Sequence, residues 1–93
     1  MELIRKAQLR NDASKYGDTK RVVEEWISIV KDADWNDITK VRKTYPSADY
    51  VKGKTVFNIK GNSYRLITII DYSLKLVVYE TFLTHADYDK YQF

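Results

Sequence analysis

The chain has no cysteine, one proline, one histidine and three glycines in 93 residues. Without thiols there is no disulfide framework, no Cys-ligated zinc or iron–sulfur cluster, and no thiol nucleophile. A lone histidine removes every chemistry that needs two. Three separated glycines make no phosphate-cradling loop. Long apolar runs are also missing: nothing approaches the roughly 18 residues of a membrane span. The opening Met1-Glu2-Leu3-Ile4 turns charged at once and lacks the apolar stretch of a secretory signal. The expectation is one small domain over residues 1–93, working in the cytoplasm.

Charge is present but unevenly spread. Sixteen bases oppose thirteen acids, a net +3. Lys40, Arg42, Lys43, Lys52, Lys54, Lys60 and Arg65 lie in one segment against the single acid Asp49, so 40–65 carries +6 and the rest −3. Tyr45, Tyr50, Phe57 and Tyr64 interleave with these bases. Cations for phosphates and aromatic faces for bases are what single-stranded nucleic acid requires. A solvated basic face over core aromatics is the plainer alternative.

Periodicity divides the chain into a helical first half and an extended second half. Met1–Arg5 reads as a short strand, and Leu9, Ala13 and Tyr16 mark a helix over Lys6–Tyr16. Gly17 breaks it and Asp18 suits the N-cap of the next helix. That helix has a broad apolar face of Val22, Val23, Trp26, Ile27, Ile29, Val30 and Ala33. Asn36 or Asp37 caps a short helix ending at Tyr45-Pro46. Val56–Ile59, Tyr64–Asp71 and Leu76–Leu83 follow as an antiparallel meander, turning at Gly61-Asn62 and at 72–75. Thr84 caps a last turn of helix. The fold class is α+β, with the N-terminal helices packed on one face of a small antiparallel sheet and a short C-terminal helix. Burying Phe57 and Ile59 under the helices turns Asn58 and Lys60 outward, with Arg65 on the neighbouring strand.

His85, Asp87 and Asp89 offer too few ligands at too loose a spacing for a closed metal site. The serines lack a Gly-x-Ser-x-Gly elbow, and no pair of carboxylates is singled out for glycoside chemistry. One chemistry does suit the basic segment. RNA carries its own nucleophile, the 2′-hydroxyl, so its cleavage needs a proton acceptor, cations on the phosphate and a proton donor. Arg65 and Lys60 suit the phosphate. His85 suits either proton transfer, because imidazole ordinarily titrates near neutrality. Tyr88 or Tyr91 can stack on a base or donate a proton. Taken singly, His85 reads as a surface or capping residue and Lys60 as a solvated turn lysine. Arg65, set beside Ile67 and Ile69, demands a partner or an open face. Trp26 and Trp35 read as core.

The run Val56-Phe57-Asn58-Ile59-Lys60-Gly61-Asn62-Ser63-Tyr64-Arg65-Leu66 resembles the V-F-N-I-K-G-N-x-Y-R-L pattern of the HigB toxins, RelE-like members of bacterial type II toxin–antitoxin modules. Ala33-Asp34-Trp35, Tyr45-Pro46-Ser47-Ala48 and Thr84-His85-Ala86-Asp87-Tyr88-Asp89-Lys90 extend the likeness to nearly the whole chain. The resemblance implies a RelE-like fold and a ribosome-dependent endonuclease of mRNA in the ribosomal A site, with no metal or other cofactor and no membrane partner. It also implies a cognate HigA-like helix-turn-helix antitoxin, through which the pair would contact operator DNA. Arg65 matches the arginine that holds the scissile phosphate. Asn58 and Lys60 fall near the paired strand lysines of RelE, with asparagine replacing the first, and His85 falls near a C-terminal arginine or histidine. The expected site is therefore Arg65, His85, Lys60 and Tyr88 for catalysis, with Asn58, Lys54, Lys52, Tyr64, Tyr91 and Lys90 along the RNA. A non-catalytic RNA- or ribosome-binding module is the rival reading, and a protein-interaction module with a basic face is a third.

Overall fold

The computed structural model describes residues 1–93. A strand β1 (Glu2–Ile4) leads into three helices, α1 (Lys6–Ala13), α2 (Lys20–Asp32) and α3 (Ile38–Thr44). Four strands follow, β2 (Asp49–Val51), β3 (Lys54–Ile59), β4 (Tyr64–Asp71) and β5 (Leu76–Thr84), and a final helix α4 (His85–Asp89). The strands form one sheet in the order β1-β5-β4-β3-β2, antiparallel except for β1, which runs parallel to β5. The α+β arrangement agrees with the sequence, and the sheet has five strands where a three-stranded meander and a short N-terminal strand are expected.

Helix α2 has the broadest buried face of the helices. Val23, Trp26, Ile27 and Val30 recur at i, i+3, i+4 and i+7, and all four are buried. Across the layer boundary the Trp26 ring meets Phe57 edge-on at 5.4 Å, while Trp35 and Tyr45 close on the same ring at 6.1 and 5.4 Å. Phe57 is wholly buried, and truncating such a side chain costs on the order of 3–5 kcal/mol. Both tryptophans are core residues, as their sequence context suggests.

Register then assigns the two faces. Phe57 pairs with Leu66, and Leu66 with Phe82, giving a row that packs on the helices. The next row, Asn58, Arg65 and Leu83, points to the opposite face because strand side chains alternate. Between Ile67 and Thr68 the pairing with β5 slips by one residue, from Thr81 to Tyr79, leaving Glu80 as the extra residue of a β-bulge. The slip lets Tyr79 and Phe82, three apart, both belong to the core.

Three local expectations change. Helix α1 stops at Ala13 rather than Tyr16. Asp18 does not cap α2: Thr19 is the boundary residue, and its hydroxyl donates to the carbonyls of Ala13 and Tyr16 at 2.9 Å each. Strand β2 is additional, forming a hairpin with β3 whose turn residues Lys52 and Gly53 take φ of 49° and 84°. The other caps agree with the sequence: Asp37 accepts from the Lys40 amide at 3.0 Å and Thr84 from the Asp87 amide at 3.1 Å. No helix is long and apolar enough to cross a membrane.

Candidate active site

Arg65 stands second in β4, on the face away from the three N-terminal helices, and is only 8% exposed. A buried guanidinium must spend its donors on nearby acceptors. Nη1 donates to the carbonyls of Asn62 and Tyr64 at 3.1 and 3.2 Å. Nη2 donates to Asn62 Oδ1 at 2.8 Å and to His85 Nδ1 at 3.0 Å. The cation also lies 5.4 Å from the centre of the Tyr88 ring. Because guanidinium offers donors only, the facing atoms are an amide oxygen and an imidazole lone pair.

Helix α4 brings His85 and Tyr88 to this point. Thr84 caps it, and the His85 amide donates to the Ser63 carbonyl at 2.9 Å, tying the helix start to the β3–β4 turn. The other ring nitrogen of His85, Nε2, lies 3.7 Å from Asp89 Oδ2. Burial pushes the Tyr88 phenol above its ordinary pKa; Asp49 pushes the same way and Arg65 opposes. A phenol ordinarily titrates near 10, so the hydroxyl is a proton donor at neutral pH with or without this shift.

A second group lies on the same sheet face. Lys54 Nζ is 3.3 Å from Glu80 Oε1 and donates to the Tyr91 hydroxyl at 3.4 Å. Glu80 first, and then Tyr91, raise the pKa of the Lys54 ammonium and hold its charge. The Phe93 ring meets Tyr91 at 4.9 Å and Tyr88 at 5.9 Å, both edge-on. These aromatics run from the lysine to the arginine.

The remaining expected residues are dispersed. Asn58 is directly opposite Arg65 in the strand register. Lys52 and Lys90 are exposed, the first in the β2–β3 turn and the second just after α4. Lys60 does not join the outward row with Asn58. Strand β3 ends at Ile59, and Lys60 takes a φ of 53° that swings its ammonium to Asp18, 2.6 Å from Oδ2. Tyr64 donates to the other oxygen of that carboxylate at 2.9 Å while stacking on Phe82 and meeting Tyr16 at a tilt of 52°. Lys60, then Tyr64, hold the Asp18 carboxyl below the usual range, and Asp18 raises the Tyr64 phenol.

Asn62, Ser63, Asp49, Glu80 and Phe93 are not among the site residues expected from sequence, although each touches or polarises a member of these groups. Asn62 is visible in sequence as a turn residue and Asp49 as the lone acid of the basic segment, and neither signal says what the side chain meets. No three of the His, Asp and Glu side chains are grouped so as to hold a metal ion.

Residues 19–91 match the family HigB_toxin, described as the RelE-like toxic component of a toxin-antitoxin system. The chain is also similar to the mRNA interferase HigB of Escherichia coli O6:H1 (strain CFT073). The two are 27% identical over 93 residues, covering 97% of this chain and 90% of the relative. The family match includes Arg65, His85 and Tyr88 together with the β3–β4 turn.

Proposed function

This chain belongs to the HigB family of RelE-like toxins of toxin–antitoxin systems, and from that premise we propose that it is an mRNA endonuclease that cuts messages on the ribosome. The observation that carries the reading is a buried arginine joined to an imidazole and covered by a tyrosine. Phosphate binding, proton transfer and base stacking would thus share one small surface.

In the proposed reaction a non-bridging oxygen of the scissile phosphate takes the Arg65 Nη2 donor from His85. Ionised oxygens are stronger acceptors than a neutral ring nitrogen. The exchange frees the Nδ1 lone pair to receive the proton of the adjacent 2′-hydroxyl. The 2′ oxygen bonds to phosphorus, the bond from phosphorus to the 5′ oxygen breaks, and that oxygen takes a proton from the Tyr88 hydroxyl. A 2′,3′-cyclic phosphate and a 5′-hydroxyl result. Guanidinium stabilises the charge that builds on the phosphoryl oxygens, where a single fixed donor is worth about 10²–10³ in rate.

Asn58, Lys54, Tyr91, Lys52 and Lys90 extend the surface along the RNA, the cations for phosphates and the aromatics for bases. Lys60 and Tyr64, both tied to Asp18 on the helix side, brace the turn beside the site rather than contact the scissile phosphate. The ribosomal A site would supply the remaining substrate positioning, so the protein would act in the bacterial cytoplasm. Membership of the family implies a cognate antitoxin. We take it to be a HigA-like helix-turn-helix protein through which the pair meets operator DNA.

One observation favours a second reading. All four terminal N–H groups of Arg65 already have partners within the chain, as suits a purely structural arginine in a non-catalytic ribosome binder. Purified protein, incubated with programmed ribosomes and with the same mRNA alone, separates the two. Endonuclease action yields ribosome-dependent fragments ending in cyclic phosphate and 5′-hydroxyl. A binder arrests translation without new ends and keeps its effect in His85→Ala.

A further inference from the structure

The β3–β4 turn is the frame of the site. Lys60 and Tyr64, which flank it, are held by the two oxygens of the same Asp18 carboxylate at 2.6 and 2.9 Å. The Ser63 amide closes the turn on the Lys60 carbonyl at 3.3 Å. On the other side the turn presents three acceptors to the site. The Asn62 carbonyl and Oδ1 take one donor from each terminal nitrogen of Arg65, and the Ser63 carbonyl takes the His85 amide. Asn62 and Ser63 thus set the orientation of the guanidinium and the start of α4 together.

We infer that Asn62 is a positioning residue for catalysis, holding the Arg65 guanidinium in the plane in which it meets both His85 and the incoming phosphate. The inference rests on the nuclease reading above. Asn62 is exposed, so its side chain contributes nothing to the core. Its neutral amide leaves the full charge of Arg65 for the phosphate, whereas a carboxylate at the same point would neutralise part of it. With the Oδ1 contact gone, Nη2 keeps His85 as its one partner within the chain, and the guanidinium is anchored only through Nη1 on the Asn62 and Tyr64 carbonyls, so the tilt of the Nη2 end toward His85 loosens. A displacement of about 1 Å in a group that must meet a transition state can cost about 10²-fold in rate.

The test compares Asn62→Ala and Asn62→Asp with the parent protein, reading cleavage kinetics on programmed ribosomes and the two-bond ¹⁵N–¹H pattern of the His85 ring. Asn62→Ala should lower kcat about 10- to 100-fold while KM stays within about threefold, since the loss concerns orientation rather than docking. Its ring pattern should move toward mixed tautomers. Asn62→Asp keeps an acceptor and should restore the parent ring pattern. Unchanged kcat in Asn62→Ala, or a ring pattern identical to the parent's, overturns the inference. Normal cleavage by Arg65→Ala would instead overturn the nuclease reading, and the ring pattern would still judge whether Asn62 positions the arginine.

Discussion

Nη2 of Arg65 donates a hydrogen bond to Nδ1 of His85 at 3.0 Å, joining residues twenty positions apart on β4 and α4. Since guanidinium cannot accept, this contact exists only while the imidazole is neutral and carries its proton on Nε2. A protonated ring would set donor against donor. The pair therefore holds His85 as a potential base and, in the RNA-free chain, covers the atom that would act as one. In the proposed reaction, binding of phosphate and exposure of the base become a single event.

The tautomer is directly measurable. Two-bond ¹⁵N–¹H correlation spectra in mildly alkaline buffer should show His85 as the Nε2–H form in the parent protein. In Arg65→Ala the ring should relax to a mixture. A predominantly Nδ1–H ring in the parent would contradict the contact.

The two basic residues expected to share the phosphate should separate in kinetics. Arg65 carries the buried, multiply bonded guanidinium, and Arg65→Ala should lower kcat about 10²–10³-fold. Lys60 is ion-paired with Asp18 on the helix side, so Lys60→Ala should cost less than about tenfold. Equal losses in single-turnover assays would return Lys60 to the scissile phosphate.

Acid stability follows from four carboxylates. Asp18 is lowered by Lys60 and Tyr64, Glu24 by Arg10, Asp34 by Lys75, and Asp71 by the Leu74 amide and Ser73. A carboxylate with a depressed native pKa contributes stability that is fully present above its unfolded pKa and lost as pH falls through the native one. Urea midpoints should therefore be flat above about pH 5 and fall below about pH 4. Asp18→Asn should shallow that decline, because its share of the linkage is gone. A decline as steep as the parent's would remove Asp18 from the account.

Much of this architecture was legible in sequence because the signals were local. The 3-4 spacing of Val23, Trp26, Ile27 and Val30, the caps at Asp37 and Thr84, and the alternation around Phe57 each depend on neighbours within a few residues. What escaped depends on distant partners or on single backbone torsions. Strand β2 is three residues long and gains its identity from pairing with β3. Asp18 has the composition of a cap, yet a lysine and a tyrosine more than forty positions away take its carboxylate. Lys60 was assigned a face by alternation, but its positive φ ends the alternation one residue earlier. Arg65 was found because a charge among isoleucines is conspicuous. The Asn62 side chain that orients it looked like ordinary turn chemistry.

The most direct measurement of the central claim is mapping of mRNA 5′ ends after brief induction of the protein without antitoxin, with and without a block on translation, beside Arg65→Ala at equal expression. The account predicts new 5′-hydroxyl ends within translated messages that vanish under the block and are missing in the variant. Growth arrest with no new ends, or an unchanged cleavage pattern in well-expressed Arg65→Ala, would contradict it.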